Sequence, residues 1–364
     1  MTTLRLLADD LTGALDSAAP FSSWGPIQVA WAEEAFEPHR SLRALDSDTR
    51  DLSQALAQER VRAWLERDGQ KGIAFKKIDS LLRGNTMAEL DVCCRTERYA
   101  TIVVAPAFPA QHRITTGGVQ RARSSTDEPW REVGPCLATV LPGARAVSRG
   151  QARGGAGVVV CDAGSQEDLD LIARCAGWER PVLWCGTSGL ARALSGAPRR
   201  YAAAPARRIL MLLGSKHPAT RIQLAALEQM APGTQLRGVP RDPAGTADKL
   251  AGLLAATGLA SLAVEETLTP QAAAEWFATM FDCVVGLCRP DLLVCGGGDT
   301  AHRLCTAVHA RSLLVLGEWK PGFPVSRIEG GPWAGTIVIT KAGAFGSPLA
   351  LADLVKSVWQ GRQQ

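Results

Sequence analysis

The sequence predicts an α/β protein of two domains, each a largely parallel sheet flanked by helices. Short β-rich runs recur along the chain and end in Gly, Asp, Ser or Thr before helix-like segments, which is the alternation a parallel sheet requires. The chain has 364 residues, more than one hydrophobic core usually serves. The stretch from Ser195 to Pro205 has the Gly, Pro and Ala content of a linker, and a fresh strand follows it.

In the first domain, residues 1–200, Leu4 to Ala8 reads as a strand entering Asp9-Asp10-Leu11-Thr12-Gly13. Gly72 to Phe75 enters Lys76-Lys77-Ile78-Asp79, and Thr101 to Ala105 enters Pro106 to Pro109. Val158 to Cys161 leads to a helix from about Ser165, because Ser caps helices well. Gly117 to Gly157, rich in Arg, Gly, Pro and Ser, reads as an irregular excursion. In the second domain, residues 207–364, the strands are Arg208 to Leu213, Asp291 to Cys295 and Thr336 to Thr340, each ending at a glycine-bearing turn.

Composition excludes several classes of function. The balance of 40 Lys plus Arg against 36 Asp plus Glu argues against a nucleic-acid or anionic-membrane surface and for a small-molecule partner. Apolar runs are far shorter than a membrane span needs, and the N-terminus turns acidic too early for a secretory leader, so the expected location is cytoplasmic. The ten cysteines lack metal-ligand or redox spacing and are expected to be reduced, mostly buried thiols. The oligomeric state is left open, a homo-oligomer included.

Five segments carry chemistry. Asp9, Asp10, Thr12 and Gly13 stand at the carboxyl end of the first strand, where open α/β sheets bind ligands. Two carboxylates and a hydroxyl there supply a general base and acceptors for a polyol; the same residues also suit a helix cap. Lys76, Lys77, Asp79, Ser80 and Arg83 follow another strand. The chain has only eight lysines against 32 arginines, so a lysine pair in that place points to recognition of an acid group. In the second domain Gly296-Gly297-Gly298-Asp299-Thr300, Gly214-Ser215-Lys216-His217 and Lys341-Ala342-Gly343-Ala344-Phe345-Gly346 each follow a strand. Bare glycines let backbone N–H groups face phosphate oxygens. Three such turns in one half are better explained by one phosphate-bearing ligand than by three unrelated turns. No G-x-G-x-x-G follows the first strand, which disfavours a nicotinamide oxidoreductase.

These segments, in this order, resemble the four-carbon acid sugar kinases, which include 3-oxo-tetronate, D-threonate and D-erythronate kinases. The resemblance also takes in Asp16-Ser17, Asp48-Thr49-Arg50, Leu82-Arg83-Gly84-Asn85, Ala105 to Ala110, and Gly317-Glu318 with Pro321-Gly322. It implies an N-terminal domain for the sugar acid, a C-terminal domain for ATP with Mg2+, and transfer to a terminal hydroxyl in the cleft between them. Asp10 is the expected base and Asp79 the second choice. Asp9, Thr12, Gly13, Arg50, Lys76, Lys77, Ser80 and Arg83 are expected on the substrate. Gly214, Ser215, Gly297, Gly298, Asp299, Thr300, Lys341, Gly343 and Gly346 are expected on the nucleotide. The alternative is a sugar-acid sensor that has lost phosphoryl transfer. The chain departs from the family pattern at Leu81, Ala342, Ala344 and His217, where Thr, Ser, Gly and Ser are usual, and its Gly118 to Gly157 segment is shorter and richer in arginine.

Overall fold

The computed structural model describes residues 2–37, 39–67, 72–151, 154–202, 204–237, 242–263 and 269–359. Residues 152 and 153 of the expected excursion and residue 203 of the expected linker lie outside the described residues. Two compact units emerge, Met1–Arg199 and Arg200–Gln364.

In the first unit the strands are β1 (Leu4–Ala8), β2 (Ile27–Ala30), β3 (Leu42–Asp46), β4 (Ile73–Lys77), β5 (Thr101–Ala105), β6 (Arg113–Thr116), β7 (Val119–Ala122), β8 (Arg131–Cys136), β9 (Arg145–Val147), β10 (Gly157–Cys161) and β11 (Val182–Gly186). The helices are α1 (Leu11–Ala18), α2 (Gln54–Glu66), α3 (Thr86–Cys94), α4 (Leu137–Val140), α5 (Gln166–Arg174) and α6 (Ser188–Ser195). Eight strands form the main sheet in the order β2-β3-β1-β4-β11-β5-β10-β9, and the pairings are parallel. Every residue of β1 and of β5 is buried, as expected of central strands covered on both faces. Leu7, Ile102, Val104, Val160 and Leu183 from the sheet meet Val61, Trp64 and Leu90 from α2 and α3 in one core. Each such side chain contributes on the order of 1.5–3 kcal/mol by leaving water. Helix α5 starts as the sequence predicts, with Ser165 and Asp168 forming a reciprocal cap.

The segment read as an irregular excursion is a correction. It supplies β7 and β8 of a three-stranded antiparallel sheet whose first strand, β6, precedes it, and then the short helix α4 and the edge strand β9. Its strands are brief and largely half-exposed, and β8 contains both Gly134 and Pro135, so no clean alternation marks them. The sheet is anchored where the Gly117 and Gly118 amides donate to Asp162 at 2.7 and 2.9 Å.

The second unit contains β12 (Ile209–Leu213), β13 (Gln235–Arg237), β14 (Leu259–Ala263), β15 (Leu292–Gly296), β16 (Ser312–Glu318), β17 (Pro324–Glu329) and β18 (Ile337–Lys341). Its helices are α7 (Pro218–Met230), α8 (Pro243–Thr257), α9 (Pro270–Leu287), α10 (Gly298–Ala307) and α11 (Ala350–Val358). The strand order is β13-β14-β12-β15-β18-β17-β16. The first five run parallel, and β17 is antiparallel to both its neighbours. Met211, Val294, Val325 and Ile339 pack against Leu224, Leu227, Leu351 and Leu354 in a separate core.

Six of the ten cysteines are buried and all are free thiols. Among the described residues no helix is long and apolar enough to cross a membrane.

Candidate active site

In the first unit, strand register levels the carboxyl ends. Ala8 pairs with Asp46, Leu7 with Lys76, Lys77 with Gly186, and Gly186 with Ala105. The turns that leave β1, β3 and β4 therefore open side by side, and they carry Asp9 and Asp10, Asp48 to Arg50, and Ile78 to Arg83.

Asp10 takes the cap position of α1. Its Oδ1 accepts the Gly13 amide at 2.8 Å, so the capping role that the sequence allowed is real. Its Oδ2 accepts Arg50 Nη1 at 2.6 Å, while Arg50 Nε and Nη2 lie 2.9 and 2.8 Å from Asp9 Oδ2. Arg50 Nη2 also stands 3.6 Å from Asp79 Oδ2, so one guanidinium faces three carboxylates. Arg50 is held by its backbone as well, since its amide and that of Thr49 donate to the Asp9 carbonyl. The neighbouring turn closes from the other side. Gly84, at φ 62°, lies so near the Arg50 carbonyl that a Cβ would sit 2.7 Å from that oxygen, and Asn85 Nδ2 donates to the Thr49 and Leu52 carbonyls at 2.8 Å each.

Asp79 accepts Arg83 Nε at 3.0 Å and Nη2 at 2.6 Å, a two-pronged pairing. Ser80 is half-buried, and its carbonyl accepts Gln120 Nε2 from β7 at 2.9 Å. Asp9 Oδ1 and Thr12 Oγ1 are buried and have no hydrogen-bond partner among the described residues. Gly13 is buried, and a Cβ there would stand 3.0 Å from Lys77 Nζ.

The two lysines part company. Lys76 is fully buried, with its ammonium 2.7 Å from Glu89 and 2.9 Å from the Lys77 carbonyl. It faces the interior, away from the edge where the substrate was expected. Lys77 is 7% exposed and stays at the edge.

The neighbouring carboxylates Asp9 and Asp10 are pushed apart. Burial raises the Asp9 carboxyl, but Lys77, Arg50 and Lys76 outweigh it and hold the group below its usual range. For Asp10 burial wins over Arg50, aided by repulsion from Asp9, and the carboxyl rises. Burial also acts on Asp79, where Arg83 and Lys77 reverse it and keep the carboxyl low. Asp46 was not anticipated, since nothing marks a lone acid at the end of a strand. Burial, opposed by the Asp48 amide and reinforced by Asp10, Asp48 and Asp9, pushes it up to about 8.

The folded state thus holds a proton on Asp46 that the unfolded chain releases above pH about 4. Where the native state binds more protons, stability falls as pH rises, here between about pH 4 and 8. Asp46→Asn keeps the shape without the titration. We expect its urea midpoint to fall less than that of the wild type between pH 5 and pH 8; parallel declines would place the proton elsewhere.

In the second unit Leu213, Gly296 and Lys341 form one level row. The turns that leave them are stitched together, since the Gly214 amide donates to Gly296 and the Gly297 amide to Lys341. Gly297 has φ 108° and precedes α10 without any side-chain cap, which leaves the first amides of that helix for another acceptor. Gly298 is half-buried, Asp299 exposed and Thr300 buried, with the Thr300 hydroxyl packed against Gly214. Gly343 packs on Ser215, and its carbonyl accepts Thr220 Oγ1 at 3.1 Å. Gly346 has φ 92°, and Gln223 Nε2 donates to the Phe345, Gly346 and Ser347 carbonyls.

Lys341, expected on the nucleotide, lies below the Gly343 turn. Its side chain is fully buried, donating to Thr220 Oγ1 at 3.1 Å and to the Gly343 carbonyl at 3.3 Å, and burial alone pulls its ammonium down to about 8. It shapes the turn from beneath. Gln223 was not anticipated, because it lies inside a helix beyond the Gly214 to Arg221 segment.

Two α/β units, each gathering polar residues at the carboxyl edge of a parallel sheet, define a two-domain α/β protein with a ligand edge in each half. A family profile described as a sugar-binding N-terminal domain matches residues 4–134 and 129–194. A second, described as a nucleotide-binding C-terminal domain, matches residues 210–351. The chain is 32% identical over 410 aligned positions to a D-threonate kinase of Cupriavidus necator, covering 98% of each protein. It is 28% identical to a D-erythronate kinase of Heliobacterium modesticaldum, covering 98% of this chain and 97% of that one. A structure from Salmonella typhimurium, described as a putative tRNA synthase, shares the fold with a TM-score of 0.74 at 20% identity, covering 98% of this chain and all of that one. The chain belongs to the four-carbon acid sugar kinase family.

Proposed function

We propose that the protein transfers the terminal phosphoryl group of ATP to the terminal hydroxyl of a four-carbon sugar acid of the threonate, erythronate or 3-oxo-tetronate type. The observation that carries this reading is the pair of edges. One unit concentrates carboxylates, a fork of arginine and an orphaned hydroxyl, as a polyol acid requires. The other joins three glycine turns in one row beside an uncapped helix start, as a triphosphate requires.

Asp10 accepts the hydroxyl proton, and its raised affinity for protons fits that task. Asp9, Thr12 and Gly13 line the sugar, Arg50 fixes the carboxylates, and Arg83 with Asp79 and Ser80 borders the far side. Gly214, Ser215, Gly297, Gly298, Thr300, Gly343 and Gly346 give the nucleotide backbone donors and close approach. Mg2+ would neutralise phosphate charge. Among the described residues no group of three or more His, Cys, Asp or Glu side chains is placed to hold a metal. An ion carried in on phosphates keeps most of its waters and needs one or two carboxylates. Asp299, exposed in the first turn of α10, is the carboxylate offered there.

The test is ADP formation with a panel of tetronates, 3-oxo-tetronates and longer aldonates. A sensor would bind an acid and release no ADP. Asp299→Ala is expected to weaken ATP binding in Mg2+ about tenfold, the worth of one bond to a charged group, and to leave acid binding unchanged. Calorimetry giving the opposite pattern would reverse the assignment of the two domains.

A further inference from the structure

We propose that Lys77 is a catalytic residue that stabilises the phosphoryl group during transfer, while the carboxylate of the acid is held at Arg83. The proposal rests on the kinase reading above and assigns the two ends of the substrate within the first unit.

Lys77 ends β4 and is 7% exposed. Its ammonium lies against the first turn of α1, 3.0 Å from where a Cβ on Gly13 would stand, and the Gly13 amide is the one that Asp10 caps. Among the described residues no hydrogen bond or close ion pair is made by its ammonium, which acts through space on Asp9, Asp79, Asp10 and Asp16. The contrast with Lys76 is plain, because that ammonium is satisfied by Glu89 and a carbonyl. Arg50 is likewise spoken for by three carboxylates. Asp9 and Asp79 offset the burial of the Lys77 ammonium through space, and an anion arriving at the edge meets a cation with no direct bond to break.

The substrates offer two anions, the carboxylate of the acid and the phosphoryl group. Asp10 must touch the hydroxyl that receives phosphate, and the carboxylate is at the opposite end of the four-carbon chain. The ammonium beside the Asp10 turn is therefore at the reacting end. Arg83 forks onto Asp79 through Nε and Nη2, and its side chain is 62% exposed, open to an acid arriving from solvent.

In the transfer, the substrate O–H gives its proton to the Asp10 carboxylate, and its oxygen bonds to the γ-phosphorus of ATP. The bond from that phosphorus to the β,γ-bridging oxygen breaks, and ADP leaves with the electron pair. Lys77 meets the negative charge on the oxygens of the moving group, an interaction that strengthens only as transfer proceeds.

The experiment uses the full chain, ATP with Mg2+, D-threonate, its 4-phosphate, and the uncharged four-carbon alditol. Lys77→Met is expected to lower kcat by about 100-fold or more, to weaken the 4-phosphate comparably, and to leave the calorimetric Kd for D-threonate nearly unchanged. Lys77→Arg should recover part of kcat. Arg83→Met should show the reverse, with acid affinity falling about tenfold and the preference for acid over alditol shrinking. The assignment is overturned if Lys77→Met weakens D-threonate itself and erases the acid-over-alditol preference, since Lys77 would then hold the carboxylate. If circular dichroism shows Lys77→Met unfolded, Lys77→Gln carries the same comparison. Wild-type protein that binds the acid but forms no ADP would overturn the kinase reading, and the proposal with it.

Discussion

Asp10→Asn is expected to lower turnover by about 100-fold or more while ATP and the sugar acid still bind. Asparagine caps helices as well as aspartate, so the bond to the Gly13 amide survives and α1 keeps its start. What is lost is a carboxylate able to take the hydroxyl proton, together with one contact to Arg50, which retains Asp9. The pH profile gives an independent check. Burial and Asp9 raise the Asp10 carboxyl, and a base works only when deprotonated. Wild-type turnover should therefore fall as pH drops through a value above the ordinary carboxylate range, and that limb should vanish in the variant. If Asp10→Asn keeps near-normal turnover while Asp79→Asn loses it, the base is Asp79 and Asp10 is a helix cap only.

Glu89→Leu is expected to destabilise the first unit by about 3–5 kcal/mol, because it strands the Lys76 ammonium in the interior. The pair is almost sealed, with side-chain exposures of 0% for Lys76 and 1% for Glu89. Burial by itself lowers the Lys76 ammonium, but Glu89 and Asp9 more than compensate and hold it charged. Glu89 also accepts the Thr49 hydroxyl, which ties α3 to the turn that presents Arg50. The double variant Lys76→Met/Glu89→Leu, apolar at both positions, should recover much of the loss. Urea unfolding of the three proteins decides the matter: a double variant as unstable as the single one would show that Glu89 acts through Thr49 and not through Lys76.

The parallel strands were legible because each is a compact apolar run closed by a polar turn; Leu4 to Ala8 and Thr101 to Ala105 coincide with β1 and β5. The antiparallel sheet β6-β7-β8 was not, since half-exposed strands rich in arginine and threonine imitate a loop. Within the site, the sequence brought Asp9, Asp10, Arg50, Asp79 and Arg83 to notice, and they meet. It could not separate Lys76 from Lys77. Alternation along a strand sends adjacent side chains to opposite faces, but only the packing of α3 shows which face hides Glu89. Nor does the sequence show that Lys341 is buried. Asp46 and Gln223 gave no signal because their importance comes entirely from what surrounds them.

The levelled strand ends set a rule for where this chain tolerates insertions and deletions. A residue removed within β1 or β4 would turn every following side chain to the opposite face. Asp10 would then fall where Asp9 stood and Asp9 where Ala8 stood, and the ammonium of Lys77 would take the place of its sealed neighbour. Length changes at the amino ends of the same strands leave this order untouched. Loop exchange with relatives therefore has its safest junctions at that opposite rim.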